Sequence, residues 1–207
     1  MKFFIMLLMI INVYAAEYFD GVNAYRNGNY TKAIDIFKPL ADKKNDARAQ
    51  YNLATMYFYA KGTPQDYKLA YKYFSKAAKN GMKEASFMCG QMLENGLGVK
   101  RDFKDAVKFY SQAAEEKYPR ALYALGKMYQ NGLGVKKSIV KAKELYLQSA
   151  NNGLVGSMYD LGLLYEKEKD YDNALKWYIK AEKYMYPNAK EKKEGLCKKY
   201  KSKMCKE

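Results

Sequence analysis

The chain has 207 residues, of which 49% are hydrophobic and 29% are charged, and its formal net charge is +15 at pH 7. This composition is sufficient for a buried core and excludes a disordered or collagen-like chain. The basic balance indicates an anionic partner, or else lysines that simply keep polar helix faces solvated.

The first sixteen residues, MKFFIMLLMIINVYAA, have the pattern of a secretory signal peptide. Lys2 precedes an apolar run over residues 3–11, and Val13 and Ala15 suit the two positions before a cleavage point. The alternative, an N-terminal anchor helix, is disfavoured because a membrane span needs about 20 apolar residues. We therefore predict a signal peptide over residues 1–16 and a periplasmic or secreted protein with no further transmembrane span. Export makes an envelope component or a protein a better candidate partner than nucleic acid.

The remainder of the chain repeats itself. The nonapeptide ENGLGVKRD (residues 94–102) returns as QNGLGVKKS (residues 130–138), a shift of 36 residues. Small and apolar residues recur at the same phase, and such coincidence of type and spacing indicates a repeat protein. Three of these sets are Ala49, Ala85, Ala121 and Ser157; Ala54, Gly90, Gly126 and Gly162; and Phe74, Tyr110, Tyr146 and Tyr178.

Each repeat contains two amphipathic helical patterns, and this predicts a helical hairpin. The predicted hairpins cover residues 17–48, 49–84, 85–120, 121–156 and 157–188, with shorter loops in the first and last. The basic tail, residues 189–207, is predicted to be a polar capping helix, because the outermost face of a repeat array must be wettable.

The loop and cap residues of the repeat have specific expected roles. Gly96 and Gly98 are expected to end the first helix in left-handed conformations, and Asp102 or Ser138 to cap the helix that follows. The small residue at positions 54, 90, 126 and 162 is expected to let two helix backbones approach closely.

The layout A-x-x-x-LG-x-MY-x-x-G-x-GV … D-x-x-x-A-x-x-x-Y-x-x-AA resembles the Sel-one-like repeat family, which is related to tetratricopeptide repeats. The segment ALYALGKMYQNGLGV (residues 121–135) carries the resemblance most specifically, and residues 49–156 match best. The resemblance implies an all-α fold, a right-handed α-solenoid of helical hairpins, and an adaptor or scaffold role.

Within that family, the secreted cysteine-rich Hcp type places paired cysteines eight positions apart, and some members have been assigned weak penicillin-binding or beta-lactamase activity. Cys197 and Cys205 have this spacing here. They would form an intramolecular disulfide only if the chain turns near residues 201–203. Otherwise they are exposed thiols or a link to another chain. Cys89 stands where the other repeats carry leucine, so we expect a buried core residue.

Residues for catalysis are few. The chain has no histidine, which excludes Ser-His-Asp and Cys-His catalysis and histidine-ligated zinc. Ser138 and Lys141 form the one S-x-x-K pattern, the spacing of serine beta-lactamases, but the companion S-D-N and K-T-G motifs are absent. Ser138 also falls at the N-cap position. No cofactor or metal site is expected.

A row of aromatic residues recurs in the first helix of each repeat and suggests a binding surface. We predict binding through Tyr51, Phe87, Tyr123 and Tyr159, together with the polar residues Gln91 and Lys127. The alternative is that this row packs one hairpin on the next. The sequence thus predicts an exported scaffold for a protein, peptide or anionic envelope polymer; the alternative is an Hcp-type beta-lactam-binding protein or weak beta-lactamase.

Overall fold

The computed structural model describes residues 16–200 and 202–206, so the predicted signal peptide lies outside the described residues except for Ala16. Within the described ranges every regular element is helical. Helix α1 includes the described residues 16–26. The helices that follow are α2 (Tyr30–Lys43), α3 (Ala47–Phe58), α4 (Tyr67–Lys79), α5 (Lys83–Asn95), α6 (Phe103–Glu115), α7 (Pro119–Asn131), α8 (Ile139–Asn151), α9 (Val155–Lys167), α10 (Tyr171–Lys183) and α11 (Ala189–Lys199), with a 3-10 helix at Lys203–Lys206.

The chain forms two compact units, one ending at Asp102 and the other beginning at Phe103. The first unit contains α1 to α5, and the second contains α6 to α11 with the 3-10 helix. Within each unit, helices that follow one another in the chain pack together. The cores consist of alanine, leucine, methionine and aromatic side chains from the inward stripe of each helix. This arrangement confirms the predicted all-α class.

Polar caps and glycines set the helix boundaries. The carboxylate of Asp46 accepts hydrogen bonds from the backbone of Arg48 and Ala49 at the start of α3. Ser138 caps α8 by accepting from the Lys141 backbone N–H at 3.2 Å, as predicted. Gly132 ends α7 in the left-handed conformation with φ 71°, a backbone geometry that costs glycine nothing. Local sequence therefore determines where these helices begin and end.

The second glycine of each loop has a role that the sequence did not reveal. A Cβ atom added at Gly98 would lie 2.3 Å from the carbonyl carbon of Tyr67, and one added at Gly134 would lie 2.3 Å from the carbonyl oxygen of Phe103. Both neighbours are backbone atoms. Tyr67 begins α4 and Phe103 begins α6, and each of these is the second helix of the preceding hairpin and lies in the same unit as the glycine. The loop of one hairpin therefore packs directly on the hairpin before it, and a side chain at this position would separate them.

The small residue in the middle of the first helix makes room for an aromatic ring. A Cβ at Gly126 would lie 2.6 Å from Cε1 of Tyr146, and one at Gly162 would lie 2.4 Å from Cε1 of Tyr178. The expectation that two helix backbones meet here was therefore incomplete. The carbonyl oxygen of Ala142 is a more distant neighbour of Gly126, at 3.4 Å. Glycine is needed because a buried tyrosine crosses the helix at this point.

Candidate binding surface

The predicted aromatic row lies on the first helices, and its rings pack against the second helix of their own hairpin. The ring pairs are Tyr51 with Phe74, Tyr123 with Tyr146 and Tyr159 with Tyr178, at centroid distances of 5.4, 5.4 and 5.8 Å. The three row members in these pairs are half-buried, so part of each ring stays accessible. Packing therefore accounts for part of each of these three rings, and a binding role for the accessible part stays a prediction.

The other predicted binding residues differ in exposure. Phe87 is only 8% exposed and belongs to the core of the first unit. Gln91 is half-buried, and its backbone carbonyl accepts a hydrogen bond from the Asn95 side chain. Lys127 is exposed, with its Nζ 5.7 Å from the ring centroid of Tyr123. Lys127 and Tyr123 are thus brought together on one surface of the second unit, whereas Phe87 offers a ligand little area.

A half-buried carboxylate, that of Asp160, joins the row to the next hairpin. The Tyr123 hydroxyl donates to Oδ2 of Asp160 at 2.8 Å, which links α7 to α9. Burial raises the pKa of Asp160, although the Tyr123 hydrogen bond and the Lys127 charge act in the opposite direction. Burial also raises the pKa of Tyr146 and of Tyr186, and the charge of Asp160 adds to both effects. Sequence reasoning missed Asp160, although it is the acidic member of a set whose other members are Asn52, Met88 and Ala124.

Replacing Asp160 with asparagine is expected to change how stability depends on pH. Because the pKa of Asp160 is raised in the folded protein, its stabilising contribution is complete at low pH. That contribution falls as the pH rises from the unfolded-state pKa of roughly 4 through the higher folded value. An asparagine still accepts the Tyr123 hydrogen bond but does not titrate. Urea unfolding between pH 4 and 7 should show the variant gaining stability relative to the parent as pH increases.

The same change at the exposed Asp20 controls for the loss of one negative charge. If the stability of the Asp160 variant relative to the parent stays constant or falls as the pH rises, the assigned direction of the pKa shift is contradicted.

The hydroxyl groups of two buried tyrosines donate hydrogen bonds to polar side chains on the first helix of the same hairpin. Tyr146 donates to Oε1 of Gln130 at 2.6 Å, and Tyr178 donates to Oε2 of Glu166 at 2.5 Å. Glu166 also accepts from Lys192 of α11 at 3.3 Å. Burying a phenol costs stability unless its hydroxyl is hydrogen-bonded. The polar residue four positions after Gly126 or Gly162 supplies that hydrogen bond to the tyrosine for which the glycine makes room.

Ser138 and Lys141 do not face each other through their side chains as a nucleophile and a base would. The Ser138 hydroxyl accepts from the Lys141 backbone N–H, and the Lys141 ammonium pairs with Glu144 at 3.0 Å. Capping accounts for Ser138, and an ordinary helix-surface ion pair accounts for Lys141.

Two of the three cysteines form a disulfide, and the third is buried. Cys197 and Cys205 form a disulfide with a Cα–Cα distance of 5.6 Å. The necessary turn lies between the end of α11 at Lys199 and the 3-10 helix that begins at Lys203. Cys89 is fully buried, as predicted, and burial raises the pKa of its thiol to about 12. Its thiol therefore stays protonated near neutral pH and is unreactive.

An open groove separates neighbouring first helices in each unit. The N-terminal groove lies between α1 and α3, has a volume of about 290 Å³, and includes Tyr51 in its lining. The C-terminal groove lies between α9 and α11, has a volume of about 320 Å³, and includes Tyr159. In both units, a member of the predicted row therefore lines a concave space large enough for a side chain or a small ligand.

No helix in the described parts of the chain has the length and apolarity needed to cross a membrane. Residues 16–200 and 202–206 likewise contain no cluster of three or more histidine, cysteine, aspartate or glutamate side chains able to hold a metal ion.

Consecutive helical hairpins with a repeated glycine loop and grooves between first helices define a helical-repeat scaffold. The Sel1 repeat model matches residues 47–82, 83–118, 119–154 and 155–183, and the chain belongs to the Sel1 repeat family. The predicted α-solenoid fold class is thereby confirmed. Sel1 repeats form a scaffold that is typical of protein–protein interaction.

Solved structures agree with this assignment. The chain is similar to a Sel1 repeat protein from Oxalobacter formigenes, with 30% identity, a TM-score of 0.75, and coverage of 80% of this chain and 69% of that one. It is also similar to c5321, a protective antigen of uropathogenic Escherichia coli with an SLR fold, at 26% identity and a TM-score of 0.79; the match covers 85% of this chain but only 39% of c5321. No curated protein matches the chain by sequence.

The Helicobacter pylori cysteine-rich protein B bears on the Hcp resemblance. It is 22% identical over 62% of this chain and 92% of its own length, with a TM-score of 0.50. This likeness shows a shared fold alone.

Proposed function

We propose that this protein is an exported scaffold that binds a protein or peptide on the surface formed by its first helices. The observation that carries the proposal is the groove between first helices in each unit, lined by Tyr51 in one and Tyr159 in the other. Half-buried tyrosines provide rigid contact area, and grooves between helices are common ligand sites. The net charge of +15 favours an acidic partner.

Export is supported by two independent features. The first sixteen residues have the pattern of a cleaved signal, and the Cys197–Cys205 disulfide suits an oxidising compartment. Deletion of residues 2–16 should leave the protein in the cytoplasm with its cysteines reduced, whereas the full chain should be recovered oxidised from the periplasm or medium. Equal distribution of the two forms would contradict export.

Site-specific photo-crosslinking tests the binding surface. A benzoylphenylalanine placed at Thr55 or Lys127, on first helices, should form discrete adducts in cells that produce the protein. The same probe at Lys72 or Lys176, exposed positions on the second helices α4 and α10, should not. An adduct that resists protease would identify an envelope polymer instead of a protein. Equal labelling at both kinds of position, or none at either, would overturn the proposal.

Charge reversal gives a second readout from the same surface. Lys127→Glu is expected to reduce the adduct yield of a probe at Leu163, which lies on α9 in the same unit, and Lys176→Glu should leave that yield unchanged. Both side chains are exposed, so neither change should disturb the fold. Tyr123 is a poorer choice for this test, since its hydroxyl bonds to Asp160 and its loss also costs stability.

A further inference from the structure

The N-terminal groove has an apolar lining. Tyr18, Val22 and Tyr25 line it from α1, and Tyr51 lines it from α3. Phe37 of α2, which is fully buried, closes its floor. Such a lining favours a large apolar or aromatic side chain, because desolvation drives binding and tyrosine rings offer contact area at low entropic cost.

Most polar groups around this groove already have partners within the protein. Asn52 donates to the Tyr18 hydroxyl at 3.1 Å, and Thr55 donates to the Tyr51 carbonyl at 2.8 Å. The guanidinium of Arg48 lies 4.2 Å from the Tyr18 ring centroid and is paired with Asp46 at 2.8 Å. These contacts hold the lining side chains in position before any ligand arrives.

Arg26 differs from these groups. It is the charged residue among those that line the N-terminal groove, and it is exposed. Over the described ranges of the chain, no hydrogen bond or ion pair engages its guanidinium. An arginine fork binds a carboxylate through two parallel hydrogen bonds, so Arg26 offers an anion site at the edge of an apolar groove.

The C-terminal groove has a different chemistry. Its charged lining residues are Glu166, Glu191, Lys192 and Lys199, two of each sign. Glu166 is already engaged by the Tyr178 hydroxyl and by Lys192. Because its charges balance and partly neutralise each other, this groove does not select an anionic ligand. Of the two grooves between first helices, the N-terminal one combines an apolar lining with a free positive charge.

We propose that the N-terminal groove binds a peptide segment in which an aromatic or large aliphatic side chain is adjacent to an aspartate or glutamate. The apolar side chain enters between α1 and α3, and the carboxylate binds Arg26. This inference rests on the proposed scaffold function and names the partner chemistry for one of its grooves. The basic net charge of the chain speeds the encounter with acidic segments but does not choose among them.

A random peptide library displayed on phage, selected against the oxidised full chain at physiological salt, tests the proposal. Enriched peptides should carry the aromatic or aliphatic residue beside an acidic one. Fluorescence anisotropy with one labelled enriched peptide should then show about tenfold weaker binding to Arg26→Gln, as expected for a charge-assisted hydrogen bond. Replacing the acidic residue of the peptide by its amide should have the same effect on the parent protein and none on Arg26→Gln.

Arg120→Gln is the matched control, because it removes the same charge from an exposed arginine of the second unit. A second variant, Val22→Trp, should block the groove and abolish binding while its thermal unfolding stays close to that of the parent. Equal weakening by Arg26→Gln and Arg120→Gln would mean general charge attraction and would overturn the site, as would the absence of the expected motif. Crosslinking at Thr55 that persists in Arg26→Gln would reject this ligand chemistry and leave the scaffold function standing.

Discussion

Replacement of Gly134 by alanine should be among the most damaging small changes in the second unit. Its backbone is left-handed, with φ 69°, and an added Cβ would lie 2.3 Å from the Phe103 carbonyl oxygen. The expected loss is about 3 kcal/mol, because a left-handed non-glycine residue costs roughly 1–2 kcal/mol and overpacking costs roughly 1–3 kcal/mol. Backbone cannot rotate away as a flexible side chain would. Hydrogen exchange of amides in α6, α7 and α8 should report the loss as faster exchange.

Gly153→Ala is the matched control for this effect. Gly153 is also left-handed, with φ 90°, but an added Cβ meets no atom within 4 Å. Its replacement should cost only the conformational term, about 1–2 kcal/mol. The difference between the two variants isolates the contact between neighbouring hairpins. Equal losses would show that the loop does not hold the hairpins together.

Loss of the disulfide should have the second large effect, concentrated at the C-terminal end. Cys205 and Met204 pack against the core cluster of Ala174, Leu175, Tyr178 and Leu196, and the bond to Cys197 holds them there. Closing a loop of this length raises the free energy of the unfolded chain by about 2–3 kcal/mol, which stabilises the folded protein by the same amount. We therefore expect Cys205→Ser to lower the protection of α11 amides from hydrogen exchange by a comparable free energy.

Reductant supplies the control for the disulfide experiment. Dithiothreitol should lower the protection of α11 in the parent protein to the level of the variant and should not change the variant further. Exchange in α3 and α4, which belong to the first unit, should be the same in both proteins. A parent protein that keeps its α11 protection after full reduction would show that packing alone secures the C-terminal segment.

Local patterns were enough to predict the repeating part of the fold. A period of 36 residues in small and aromatic side chains predicted helical hairpins, and helices α3, α5, α7 and α9 begin two residues before Ala49, Ala85, Ala121 and Ser157. The Ser138 cap and the left-handed glycines were predictable because caps and turns depend on residues adjacent in sequence. The aromatic row was found in the same way, by its phase, but its exposure was not.

Two parts of the candidate site escaped prediction because they depend on distant residues. In the sequence, Asp160 is one acidic residue among many. Its role depends on the hydroxyl of Tyr123, which belongs to the preceding hairpin and lies 2.8 Å from the carboxylate. In the sequence, Arg26 resembles any surface arginine. Its proposed role depends on the groove between α1 and α3 that it lines, and on the lack of an acidic side chain paired with it in the described residues. Neither signal repeats every 36 residues, so periodicity could not find it.

By itself, the sequence determined the helical-repeat class, the hairpins, the caps, and the absence of histidine-based chemistry, because each of these follows from residue type and local spacing. The tertiary structure alone decided that Cys197 and Cys205 form a bond, that Phe87 is buried while Lys127 is exposed, and that the loop glycine contacts the previous hairpin. It also decided that Arg26 lies beside an apolar groove. These outcomes depend on distances between residues far apart in the chain, and packing sets those distances.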